Sequence, residues 1–344
     1  MFKFIDKFRL MRLIFQISIL LLCCACSMTS PKIEKINGIS FVASRDSISE
    51  KHTKPVVNLN ANYAAIMPFG FVKSLEHPEI IYNTDRQWFG ETDKGVKQYV
   101  KALKKQQIKV MIKPQIWVSH GAFTGFIKMK SEEEWQELEQ TYENFILDFA
   151  KVAEDINAEM FCIGTELENF VAHRPKFWTQ LIKKIRTIYK GKLTYAANWN
   201  EFTKTPFWAD LDYVGIDAYF PVSDLKTPTV VDCLQGWNAH LPDIKNVQKT
   251  TKKPILFTEF GYRSFDFSGK KPWLTGNYDA NPNLEAQVNT TKALFKTFWE
   301  EDWFAGGFVW KWFHNYEQSG GAKDNMFTPQ NKPTEEIIRQ YYKK

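Results

Sequence analysis

From residue 36 onward, short apolar runs alternate with longer amphipathic stretches. The runs are Ile39–Ala43, Tyr63–Met67, Ile108–Lys113, Met160–Gly164, Lys192–Ala197, Tyr213–Asp217, Pro254–Thr258 and Gly306–Trp310. Each has about five or six residues, which suits a buried parallel strand and is too short for a helix. The stretches between them carry helical spacing. Thr92–Gln106 repeats Val96, Tyr99, Val100 and Leu103. Ser131 followed by Glu134 forms a capping box, and Trp135, Leu138, Tyr142, Phe145, Ile146 and Phe149 continue it as one helical face. Pro175 suits the first turn of the next helix, with Phe177, Leu181, Ile182 and Ile185 inside it. Leu284–Glu300 and Thr334–Tyr342 complete the series. Eight strands with intervening helices predict a (β/α)8 TIM barrel in one domain. The competing fold is a doubly wound α/β sheet, and no glycine-rich dinucleotide or phosphate-binding loop supports it.

Composition fits that architecture. Of 344 residues, 44% are hydrophobic and 24% charged, so a large core forms without disulfides. The formal charge of +6 divides into +3 over residues 1–25 and +3 over the remainder. No block of like charge stands out, which argues against a nucleic-acid partner.

The first 25 residues read as an address. Lys3, Lys7, Arg9 and Arg12 precede the apolar stretch Leu13–Leu22, which is too short to span a bilayer and fits a signal-peptide core. Leu21-Leu22-Cys23-Cys24-Ala25-Cys26 follows and resembles a bacterial lipoprotein signal. Ala25 makes Cys26 the expected lipidated residue, with Cys24 as the other candidate. This organisation implies a signal peptide at 1–25, a linker at 26–35 and a catalytic domain at 36–344. The expected location is the cell envelope, lipid-anchored to a bacterial membrane on its periplasmic side or at the cell surface. Cys162 and Cys233 lack the spacing of a zinc site or a disulfide scaffold and read as buried thiols or one bridge.

In a barrel of this kind, functional groups lie at the C-terminal ends of the strands. The fourth run ends in Gly164-Thr165-Glu166 and the seventh in Thr258-Glu259-Phe260-Gly261. An acidic side chain there must face the barrel mouth or find a partner, because unpaired burial is costly. Two carboxylates at strand ends are what glycoside hydrolysis uses: one protonates the leaving oxygen and the other attacks the anomeric carbon or activates water. No His flanks either motif, so a metal site is not expected, and the chemistry needs no cofactor.

The Gly-Thr-Glu-Leu and Thr-Glu-Phe-Gly-Tyr motifs resemble clan A of the retaining glycoside hydrolases. With Gly38-Ile39-Ser40-Phe41 near the start and Trp310-Lys311-Trp312 at the eighth run, the chain looks like glycoside hydrolase family 113, whose known members are mostly β-mannanases. The resemblance covers about residues 36–342. It implies that Glu166 is the acid/base, protonated at rest, and that Glu259 is the ionised nucleophile of a retaining reaction. It also implies a Tyr holding the nucleophile, a place Tyr219 fits, and an aromatic ring under the −1 sugar, a place Trp310 fits. One position departs from the clan: Thr165 stands where an Asn usually contacts the sugar 2-hydroxyl, and Asn198 is the candidate replacement.

Trp117, Trp199 and Trp312 also lie near strand ends, where indole can stack on the apolar face of a pyranose. Lys113, Gln115, His120 and Arg263 are candidate donors to sugar hydroxyls. Asp217 suits holding a neighbour or capping a loop, and Glu168 suits a substrate contact or a salt bridge. The expected partner is a mannan-like polysaccharide, met by a monomer whose membrane contact is the lipid anchor alone. Two other readings share these residues: another clan A β-glycanase, such as a glucanase, and a carbohydrate-binding lipoprotein that has lost catalysis.

Overall fold

Alternation along each strand sorts its side chains onto two surfaces. Ala65, Met111, Cys162, Ala196, Leu256 and Phe308 form one buried cluster. Their chain neighbours Ala64, Val110, Phe161, Ala197, Ile255 and Val309 belong to a second, larger one. A sheet with an apolar cluster on each face, closed on itself, has one inside and one beneath a helical layer.

The computed structural model describes residues 34–274 and 281–343. The expected signal peptide, Cys26 and most of the linker lie outside the described residues. Among the latter, the strands are β1 (Ile36–Phe41), β2 (Tyr63–Ile66), β3 (Phe69–Val72), β4 (Lys109–Ile112), β5 (Gln115–Val118), β6 (Met160–Thr165), β7 (Lys192–Asn198), β8 (Val214–Asp217), β9 (Ile255–Phe260) and β10 (Phe304–Trp312). Eight of them close a parallel barrel in the order β1-β10-β9-β8-β7-β6-β4-β2. This is the (β/α)8 barrel that the hydrophobic pattern predicts.

The helices are α1 (Glu50–Asn58), α2 (Asp93–Lys104), α3 (Glu132–Asp155), α4 (Glu168–His173), α5 (Pro175–Ile188), α6 (Val230–Trp237), α7 (Leu241–Thr251), α8 (Leu284–Phe298) and α9 (Pro333–Tyr342). Their starts follow local chemistry. The Ser131 hydroxyl accepts from the Glu134 amide at 3.2 Å, and the Glu134 carboxylate accepts from the Ser131 amide at 3.3 Å. Pro175 opens α5, where its missing N–H costs nothing. Aromatic rings fill the layer between barrel and helices: Trp237 stacks on Phe257 of β9 at 6.4 Å and meets Phe298 of α8 edge-on at 4.9 Å.

Two strands lie outside the barrel, which the hydrophobic runs alone did not reveal. Each continues a barrel strand past a proline: β2 runs to Met67-Pro68 and resumes as β3, and β4 runs to Lys113-Pro114 and resumes as β5. Proline donates nothing to a ladder, so the barrel wall ends there. β3 and β5 then pair in parallel from Phe69↔Gln115 to Val72↔Val118. This two-stranded flap extends one side of the barrel beyond its mouth.

The seam between β1 and β10 is tight. Gly38 faces the Phe308 ring, where an added Cβ would lie 2.4 Å from the ring, so the large interior side chain is matched by an absent one. Gly306 has φ of +122°, and its Cβ would lie 2.3 Å from the Ile36 carbonyl oxygen. A side chain there meets both backbone strain and backbone contact. Gly306→Ala is therefore expected to lower unfolding free energy by about 2 kcal/mol or more. Chemical denaturation of the variant against wild type measures it, and an unchanged midpoint contradicts this account of the seam.

Candidate active site

The inward-facing side chains at the C-terminal end of the barrel are polar. Lys113 follows β4, Glu166 follows β6, Asn198 and Asp217 end β7 and β8, and Glu259 lies within β9. Glu259 is three residues past the interior Leu256, so regular alternation would aim it outward, and a slip of one residue corrects it. β6 also slips, taking three steps from Cys162 to Thr165 against two from Thr194 to Ala196 on β7. β9 holds an extra residue at Thr258, so Glu259 pairs with Asp217. Such bulges re-aim side chains. Glu166 itself has φ of +50°, and its amide donates to the Ala196 carbonyl at 2.8 Å. A non-glycine residue in that conformation costs of order 1 kcal/mol and marks a site that needs the direction it provides.

Glu259 is held from three elements. Lys113 Nζ donates to Oε1 at 2.5 Å and Gln115 Nε2 to the same atom at 3.0 Å. Tyr219 Oη donates to Oε2 at 2.7 Å. Lys113 also donates to both Asp217 oxygens, at 3.1 and 3.2 Å, and the Thr258 hydroxyl donates to Asp217 Oδ1 at 2.8 Å. Lys113 and Asp217 are fully buried and Glu259 is 6% exposed. Burial works to lower the Lys113 pKa, but the Asp217 and Glu259 charges outweigh it and hold the ammonium above its ordinary value. Burial and the Glu259 charge push Asp217 upward, with Lys113 and Thr258 opposing them.

Glu166 has the opposite surroundings. Among the described residues no side chain donates to its carboxyl group. Burial raises its pKa well above the carboxylate range, and the Asp217 and Glu259 charges raise it further. Beneath it, the Leu167 amide donates to Tyr195 Oη at 2.8 Å, and Tyr195 donates to the buried Glu201 at 3.0 Å. Burial pushes Glu201 up to about 7. The mouth thus offers one carboxyl group that keeps its proton and one carboxylate fixed by three donors. Such a pair can serve as a general acid beside an oriented nucleophile.

A cleft of about 640 Å³ opens on the flap side, and Gln115, which donates to Glu259, is among its walls. Its walls include Phe69 and Phe71 of β3, Trp117 of β5, Trp88, and Trp310 of β10. Trp88 and Trp117 are exposed, the geometry of platforms for sugar rings rather than of core. Trp310 is half-buried at the junction of cleft and mouth. The backbone around it packs closely: a Cβ on Gly261 would lie 2.6 Å from the Trp310 carbonyl oxygen, which accounts for the glycine after Glu259-Phe260.

The sequence matches the Glycoside Hydrolase Family 113 profile over residues 43–332. The chain belongs to that family. Solved structures agree in fold. A family 113 β-mannanase from Alicyclobacillus acidocaldarius superposes with a TM-score of 0.79 at 23% identity, covering 90% of this chain and 97% of that one. A family 113 β-1,4-mannanase gives 0.76 at 23% identity, with 90% and 99% covered. A Faecalibacterium prausnitzii β-glucuronidase gives 0.60 at 15% identity, and there the match spans 49% of the longer chain. No curated protein sequence matches.

Within this family 113 barrel, Glu166, Glu259, Tyr219, Lys113, Asn198 and Trp310 meet at the mouth, and Trp117 joins them along the cleft. Two expectations need correction. Lys113 is not a donor to sugar hydroxyls, because all of its bonds go to Glu259 and Asp217 in a place without solvent access. Trp312 is not a sugar platform, because it is fully buried beneath the helical layer and packs on Tyr316. Ile39 and Phe41 on β1 pair with Val309 and Trp312 on β10. That extra residue on β10 turns Trp312 to the opposite face from the one regular alternation gives it.

The remaining candidates lie elsewhere. Trp199 stacks on Trp273 at 5.2 Å and 21°, away from the cleft. Arg263 is fully buried and donates to Asn325. Glu168 accepts from Lys204 at 3.3 Å, and His120 is exposed on a loop. Gln115 reaches Glu259 rather than open space. The Thr165 hydroxyl turns back toward the Pro114 carbonyl, 3.5 Å away, while Asn198 Oδ1 is buried with no partner. Cys162 and Cys233 are free and buried. Trp88 escaped the sequence reading because it lies in the loop between β3 and α2, away from any strand end, and nothing local distinguishes it from a packing residue.

Tyr219→Phe removes one donor from Glu259 and leaves the ring in place. Losing a hydrogen bond to a buried carboxylate is expected to lower kcat about 10- to 100-fold, with little change in unfolding midpoint. Steady-state kinetics beside a thermal melt tests this; full activity means that Tyr219 is only packing.

Proposed function

We propose that this family 113 enzyme hydrolyses β-1,4-mannosidic linkages with retention of configuration, at Glu166 and Glu259. The observation that carries the reading is the contrast between the two carboxyl groups. Glu166 gives its proton to the glycosidic oxygen while a Glu259 oxygen attacks the anomeric carbon, breaking the C–O bond and forming a glycosyl ester. Water then attacks the same carbon, Glu166 takes the water proton, and Glu259 leaves as a carboxylate. Two displacements at one carbon restore its configuration. The substrate class is supported by the family and by the printed activity of its β-mannanase relatives. A cleft of about 640 Å³ with three indoles on its walls suits an oligosaccharide segment rather than one sugar.

The same proposal places the enzyme on a membrane surface. A basic segment, a short apolar core and Ala25-Cys26 support cleavage before Cys26 and its lipidation. An enzyme tethered at the envelope meets polymers too large to import. Labelled fatty acid should enter the wild-type precursor and not Cys26→Ala; uptake by that variant assigns the anchor to Cys24.

The soluble form beginning at Ser27 is expected to release reducing ends from mannan and glucomannan, and not from cellulose, laminarin or xylan. Glu259→Ala should reduce this to a trace. Glu166→Gln should slow mannan hydrolysis by about 10²- to 10⁴-fold while sparing the first step on an aryl glycoside with a good leaving group. Wild-type activity should fall at alkaline pH as Glu166 loses its proton, at a midpoint above the ordinary carboxylate range. Inverted products by NMR, or cleavage of another polymer in preference to mannan, would overturn the mechanism or the substrate respectively.

A further inference from the structure

One group at the mouth has no part in the two displacements. Asp217 is fully buried, has no route to a substrate, and engages three hydrogen bonds. We propose that Asp217 is a positioning residue for the reaction: it divides the Lys113 ammonium between itself and Glu259, and its own charge acts across the mouth on Glu166. The proposal rests on the glycosidase reading of Glu166 and Glu259.

Lys113 has three N–H donors and no acceptor. Its partners are both Asp217 oxygens and Glu259 Oε1. A lone ammonium beside the nucleophile would form a buried neutral pair with it, and a carboxylate bound that way is a poor attacking group. Asp217 supplies the second negative charge. The ammonium is then shared between two carboxylates instead of neutralising Glu259 alone. The Thr258 hydroxyl fixes Asp217 independently of Lys113. Thr258 is also the extra residue in β9 that sets Glu259 opposite Asp217, so one slip of register builds both contacts.

The charged and titratable groups around this cluster come from six elements. Lys113 follows β4, Cys162 lies in β6, and Glu166 follows β6. Glu201 follows β7, Tyr219 follows β8, Glu259 lies in β9, and Lys311 in β10 acts on Glu259. Of these, Asp217, Glu259 and Glu201 raise Glu166, and Lys113 lowers it. Removing Asp217 takes away a charge that raises Glu166, so the Glu166 midpoint must fall. A merely structural role for the pair has no such signature.

The test titrates Glu166 in protein carrying ¹³C-labelled glutamate carboxyl groups, the signal being assigned by its loss in Glu166→Gln. Wild type is compared with Asp217→Asn, Lys113→Met and Thr258→Val, and the alkaline limb of kcat/KM on a manno-oligosaccharide is followed in parallel. Asp217→Asn is expected to lower the Glu166 midpoint by about one pH unit, and Lys113→Met to lose most activity because Asp217 and Glu259 are left as two buried carboxylates with no cation between them. Thr258→Val favours protonated Asp217 and should give a smaller shift in the direction of Asp217→Asn. The kcat of Asp217→Asn should fall about tenfold or more with KM nearly unchanged. An unmoved or raised midpoint in Asp217→Asn overturns the proposal. If Asp217→Asn does not fold, the sign in Thr258→Val decides. The NMR titration needs no turnover. An inactive wild type would therefore remove the glycosidase reading while the sign of the shifts still judges the charge lock.

Discussion

A single ammonium buried at the floor of the barrel mouth governs the arrangement above it. Lys113 has no access to water, so its charge must be met by protein. Two carboxylates from neighbouring strands meet it, and their own burial is tolerable only because the lysine is there. Breaking one member of such a cluster leaves an uncompensated charge, which costs several kcal/mol in general. The cluster therefore fixes the relative positions of β4, β8 and β9 where the chemistry happens. It also fixes Glu259, which cannot rotate without giving up Lys113, Gln115 and Tyr219 together.

That cluster forms because the strands are irregular near their ends. A strand alternates its side chains with period two, and a closed barrel applies the rule to all eight. The lower interior keeps it, with Met111, Cys162, Ala196 and Leu256 packed together. Near the mouth, β6, β9 and β10 each carry one extra residue against a neighbour. The slips bring Glu259 inward and send Trp312 outward, and Glu166 takes its direction from a left-handed backbone just past the β6 slip. Local strain in Glu166 belongs to the same adjustment. The well-packed barrel beneath can hold such strain, which is the usual relation between scaffold and site.

The mouth is also lopsided. Proline ends the ladder after β2 and after β4, and the chain resumes as the β3–β5 flap. The flap raises one wall, provides Gln115 to Glu259, and forms with Trp88 and Trp310 a cleft on that side. The cleft and the hydrogen bonds to Glu259 thus share the same short insertion, so a change in the flap affects both.

Much of this was legible in the chain. The eight apolar runs, their lengths and the amphipathic stretches between them determined a (β/α)8 barrel, because burying a parallel strand on both faces demands continuous apolar sequence. The Ser131 capping box opens its helix as expected, and the two glutamates were visible because a carboxylate directly after an apolar strand has few other places to go. What the sequence could not determine was the phase of each strand at its end. Trp310 and Trp312 are two residues apart and look equivalent, yet one lines the mouth and the other lies under the helices. Lys113 looked like a donor to sugar and is bound to protein. Those outcomes depend on one-residue slips between strands far apart in the chain, and on which charges meet once the barrel closes. Periodicity is a local property and can be read along the chain; register and charge pairing are relations between strands, and only the tertiary structure sets them.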